Sequence, residues 1–157
     1  MGVINMALRG LQFLWTLLVI AIVGDMIAEA TSGNPSIINY VMFCAVFAML
    51  SLFYLIPASI MDAFTFHPIL PLALDVANSL FWFCAAVALS VQLGVHTCNN
   101  DAYTRRNRVI NGSNDNHKRC IEAQALTTFL WFGLASFLAS AVMSALGSRG
   151  QANTRPG

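Results

Sequence analysis

Four separate runs of roughly 20 mostly apolar residues dominate this chain of 157 residues, and each is long enough to cross the hydrocarbon core of a bilayer as a helix. They fall at about residues 7–27, 37–56, 70–91 and 123–146. Backbone in lipid must satisfy its own hydrogen bonds, which leaves helices or a closed barrel. No run alternates apolar and polar residues as barrel strands do, so helices are expected. The charged fraction, 10%, is far below the roughly 25% that covers a water-exposed domain. A net charge of +1 offers no basic patch for nucleic acid. The expected fold is an all-α membrane protein, a four-transmembrane-helix bundle, and one domain is the default at this length. Residues 148–157, rich in Gly, Ser, Asn and Pro, are expected to form a disordered tail.

Orientation is contested within the sequence. Arg9 precedes the first span while Asp25 and Glu29 follow it, which places the amino terminus in the cytoplasm. Four spans then make both termini cytoplasmic and the connection 92–122 exoplasmic. That connection holds Arg105, Arg106, Arg108, Lys118 and Arg119, against Arg9, Arg149 and Arg155 on the other side, contrary to the positive-inside tendency. Cysteines tip the balance. Cys98 and Cys120 stand at the two roots of the loop, and a bridge closing a loop of that length contributes roughly 3 kcal/mol. Such bridges persist outside the cytosol; the alternative is two free thiols on a cytosolic loop. Asn111-Gly112-Ser113 is a glycosylation sequon, compatible with an exoplasmic loop. Span one also has features of a cleaved secretory signal, namely Arg9, the apolar stretch and Ala28-Glu29-Ala30, although that stretch is longer than most signal cores. Pro57 is expected to kink or end span two.

Asp75 is the most costly residue to place, since an aspartate at a helix centre carries a penalty of about 2.5–3.5 kcal/mol. It shares a helical face with Asn78, Ser79, Trp82, Ala86 and Ser90. One reading is a proton or ion relay. The other is a polar clasp between helices, with the acid neutral or hydrogen-bonded. A relay needs further ionisable groups along a path, and spans two and four hold none, so a clasp at Asp75 is preferred. Ser136, Ser140 and Ser144 recur every four residues in span four and form a small-residue packing stripe, within the bundle or between molecules. Cys44 and Cys84 act as small hydrophobes. His96, Cys98, His117 and Cys120 match no zinc spacing, and no catalytic or cofactor motif is present. A protein without enzymatic activity, metal or cofactor is expected.

Two stretches carry a resemblance. Val95-His96-Thr97-Cys98-Asn99-Asn100, with Tyr103, closes span three, and Arg119-Cys120 followed by Ala123-Gln124-Ala125 opens span four. With Leu74-Asp75 and Asn78, they resemble the fungal non-classical export proteins, small MARVEL-domain proteins of the plasma membrane, over roughly residues 5–147. The resemblance implies a MARVEL-like four-helix bundle with cytoplasmic termini, a Cys98–Cys120 loop bridge and an Asp75/Asn78 intramembrane polar pair. It further implies a role in organising eisosome-associated lateral membrane domains, in sphingolipid-dependent signalling and in unconventional secretion. Implied partners are membrane lipids (sphingolipid or sterol), further copies of the chain, or eisosome-associated proteins. The alternative function is a small transporter or channel subunit using Asp75.

Overall fold

The computed structural model describes residues 2–28, 36–60, 69–94, 110 and 116–154. Its four helices are α1 (Gly2–Ala28), α2 (Ser36–Ile60), α3 (Leu70–Leu93) and α4 (Asn116–Thr154). Each contains one of the expected apolar runs, and all four are long and apolar enough to cross a membrane. Local chemistry sets the ends of α3. Pro71 sits in its first turn, where a missing N–H costs nothing. Its last turn closes on Gly94, which adopts φ 66° and donates its N–H to the Ser90 carbonyl at 3.0 Å. A residue with a β-carbon adopts that φ only at a cost.

Two expectations about ends need correction. Helix α2 continues through Pro57 to Ile60 rather than ending there; in membranes the lost backbone bond is tolerated where neighbouring groups compensate. Helix α4 continues to Thr154, so the tail from 148 to 154 is helical rather than disordered. Extending an existing helix needs propagation only, without the cost of a new nucleus. At its other end α4 begins at Asn116, ahead of the apolar run. That polar first part is held by α1: Lys118 lies 3.2 Å from Asp25, and Arg119 Nη1 donates to the Met26 carbonyl at 2.6 Å. The last carbonyls of a helix lack partners within it and carry its negative dipole end, so the buried Arg119 guanidinium caps α1.

The helices form a ring. α1 and α3 each pack against α2 and α4, while neither α1 and α3 nor α2 and α4 touch backbone to backbone. α1 and α3 therefore face each other across a diagonal. Both run antiparallel to α4, as Gln12–Ser140 and Asp25–Lys118 fix for α1, and Trp82–Phe137 and Ser90–Trp131 for α3. Most of the core is a continuous apolar cluster that includes Val19, Val23, Ile38, Ala45, Leu89, Leu126 and Leu130. Leu52, Leu55, Ala58 and Ala141 are also buried but lie outside that cluster. The outer surface is equally apolar: Phe43, Leu50, Leu80, Phe83, Phe132 and Val142 are exposed. An apolar outside is what lipid requires and water would penalise.

Small polar side chains are largely satisfied by their own helix. Ser51, Ser79, Thr127, Thr128 and Ser136 each donate to the carbonyl four residues back, at 2.7–3.1 Å. This local bond removes the need for a partner in lipid. Among the described glycines the tightest is Gly133, where a β-carbon would overlap the Trp82 ring. Trp82 is fully buried against Phe137 and has nowhere to yield. Gly133→Ala should therefore lower stability by about 1–3 kcal/mol, measured by thermal unfolding in detergent. Gly10→Ala meets nothing within 4 Å and should be neutral or better; equal effects at both positions would refute this packing.

Candidate functional site

The first span carries a polar face inside an otherwise apolar helix. Arg9, Gln12 and Thr16 recur at intervals of three and four, which places them on one side of α1, and all three are buried. On α3 the buried face holds Asp75, Asn78, Ser79 and Trp82. The two faces meet across the diagonal. Arg9 Nη1 donates to Asp75 Oδ1 at 2.5 Å and Nη2 donates to Oδ2 at 2.8 Å. Arg9 Nη1 also donates to Gln12 Oε1 at 2.9 Å. Gln12 passes the connection to α4, donating through Nε2 to Ser140 Oγ at 2.6 Å and to the Ser136 carbonyl at 3.1 Å. Three helices are thus tied by one guanidinium, one carboxylate and one amide.

Burial decides how much this cluster matters. Arg9 keeps 2% exposure and Asp75 none. Two ions so placed have lost their hydration, and their attraction offsets that loss only with good geometry and further hydrogen bonds. The two-pronged guanidinium–carboxylate match is the strong geometry, and Gln12 supplies one of the further bonds. The pair contributes little net stability against an apolar replacement, whereas losing one partner strands a charge.

The remaining sequence candidates fall in different places. Asn78 is buried one turn beyond Asp75 and donates to the Leu74 carbonyl at 2.9 Å, not to Asp75. Ser136 and Ser140 face inward toward α1, so this part of the stripe is used within the bundle. Ser144 is half-buried and Cys120 is buried near the start of α4. Cys44 is a buried and Cys84 an exposed free thiol. Cys98 and Asn111 lie outside the described residues.

Arg9 is the functional residue that sequence reasoning misplaced, because it served there as a flank marking orientation. The signal that identifies it is the spacing of Arg9, Gln12 and Thr16, a polar stripe with no reason to exist on a lipid-facing helix. Three of the basic residues in the orientation tally are in fact engaged: Arg9 with Asp75, Arg119 with Met26, and Lys118 with Asp25 and Glu122. Among the described residues no group of His, Cys, Asp and Glu could hold a metal ion.

An acid held by hydrogen bonds alone would tolerate asparagine; one paired with a buried guanidinium does not. Asp75→Asn and Arg9→Gln should each destabilise the bundle by about 3–5 kcal/mol. The double variant Arg9→Met/Asp75→Leu should recover most of that loss, read by thermal or denaturant unfolding in detergent. Additive losses in the double variant would show that the two residues do not act as a pair.

The chain matches the MARVEL family, described as a membrane-associating domain, over residues 2–143. It is similar to Non-classical export protein 2 of Saccharomyces cerevisiae, with 33% identity covering 87% of this chain and 77% of that protein. Non-classical export protein 102 of Candida albicans is 32% identical, covering 90% of this chain and 82% of its own length. The Schizosaccharomyces pombe homologue of Non-classical export protein 2 is 29% identical over 90% of this chain and 76% of its own. No solved structure matches. Four membrane-crossing helices around a buried ion pair, together with these likenesses, make this chain a multi-pass membrane protein of the MARVEL family, in the group of the non-classical export proteins.

Proposed function

We propose that this protein is a non-enzymatic organiser of lateral domains in the plasma membrane, associated with eisosomes and acting in sphingolipid-dependent signalling and in export that bypasses a signal peptide. The observation that carries this reading is the distribution of polarity. The buried charges Arg9 and Asp75 are consumed by each other, and the outer surface offers lipid an almost continuous apolar and aromatic face. Such a body acts through what surrounds it. Its partners in this reading are membrane lipids of the sphingolipid or sterol class, further copies of itself, or eisosome-associated proteins. The names of its relatives support the link to export. The competing reading, a transporter or channel subunit, requires Asp75 to release Arg9 during each cycle, and the two-pronged pair opposes that.

The proposed placement has both termini in the cytoplasm and residues 92–122 outside, with Cys98 bridged to Cys120 and Asn111 open to glycosylation. In support of the bridge, the free thiols among the described residues are Cys44 and Cys84, and Cys120 is not among them.

A fluorescently tagged full-length protein should form stable patches at the cell cortex that disperse on sphingolipid depletion. A uniform distribution, unchanged by depletion, would remove the organising role. Digestion without reductant should release a Cys98–Cys120 peptide pair, and after mild reduction an impermeant thiol reagent should label these cysteines on intact cells. Labelling only after permeabilisation would invert the topology.

A further inference from the structure

Among the described residues, the buried polar atoms without a partner include Arg9 Nε, Thr16 Oγ1, Asn78 Oδ1 and Trp82 Nε1. Unsatisfied groups at such depth cost enough that nearly all find a partner, in protein or in ordered water. The three beyond Arg9 lie close in depth. Trp15, beside Thr16, stacks on Phe129 at 5.7 Å and lies tilted against Phe132 at 5.3 Å. Trp82 lies against Gly133 and Phe137 of the same helix. Thr16 and Trp82 thus share one level of the bundle beside α4, and Asn78 sits one turn from Trp82 toward the ion pair. α1 and α3 do not touch backbone to backbone here.

The chemistry of the three atoms is complementary. The Trp82 indole can only donate. Asn78 already spends its amide nitrogen on Leu74, so its oxygen is left to accept. Thr16 can do either. We propose that an ordered internal water is bound between α1 and α3, accepting from Trp82 Nε1 and donating to Asn78 Oδ1 and Thr16 Oγ1. Two to four such bonds are what a buried water typically makes. This water extends the polar cluster of Arg9, Gln12 and Asp75 by one level and joins the diagonal helices a second time. It goes no further. Beyond Thr16 and Trp82 the next buried layers, Val19, Val23, Leu89, Leu126 and Leu130, are apolar and separate the site from the buried Arg119 at the far end, so the site is a closed structural one and not part of a conducting path.

The test uses the full chain in lipid nanodiscs, with X-ray radiolysis in heavy-oxygen water, which oxidises side chains beside bound internal water. Trp82 should be oxidised and carry the heavy label, while the equally buried Met26 stays unmodified. Trp82 as unreactive as Met26 would overturn the proposal. Thr16→Val and Asn78→Leu should each reduce Trp82 oxidation severalfold in protein that retains its unfolding transition. Unchanged oxidation in folded variants would also overturn it, and if a variant does not fold, the wild-type measurement decides alone.

Discussion

A charge inside a bilayer has to be answered from within the protein, and here Arg9 and Asp75 answer each other across the full width of the bundle. Their side chains meet although the helices that carry them do not touch. That sets the geometry of everything nearby. Arg9 must extend through the interior, so the residues around it are polar or small: Gln12 beside it, Ser136 and Ser140 on the helix it passes. The apolar core is displaced toward the opposite side, where Val19 to Met26, Leu89 and Leu126 fill the ring.

Two ends of the bundle are consequently held by different forces. At the end carrying both chain termini, an ion pair and an amide bridge lock α1, α3 and α4. At the other, Arg119 seals the last turn of α1 and Lys118 joins Asp25 and Glu122 at partly exposed positions. The Lys118 pairs contribute modestly, because exposed pairs are screened and worth about 0–1 kcal/mol. The buried pair acts less as glue than as a selector: arrangements of the four helices that leave Arg9 without Asp75 carry an unpaired charge.

Most of the fold was legible because lipid imposes a simple code, in which length and apolarity announce a span. Helix number and approximate bounds followed from that alone. The failures have separate causes. Pro57 reads as a breaker in water, yet in a membrane helix packed between α1 and α3 it does not end the segment. Asn116 to Glu122 reads as loop because its polarity hides a helix stabilised by tertiary contacts with α1. Asp75 stood out in the sequence by its cost, but its partner did not, since Arg9 lies near a span end where a basic residue has an ordinary explanation. Helix pairing across a diagonal depends on the packing of all four elements, and no local pattern encodes it.

The distance along the chain between Arg9 and Asp75, 66 positions, has a consequence for how the protein is made. Synthesis delivers α1 to the membrane well before α3 exists. In that interval the nascent first helix holds an arginine with nothing to oppose it, at a cost below the roughly 2.5–3.5 kcal/mol that insertion scales give at a helix centre. The segment is therefore held in lipid by its apolar residues against that penalty, ready to tilt or slide so that the guanidinium reaches the interface. Arrival of the third helix ends this interim state. The ion pair can then close only after the third helix is made, and the first helix waits for a residue that the ribosome has yet to add.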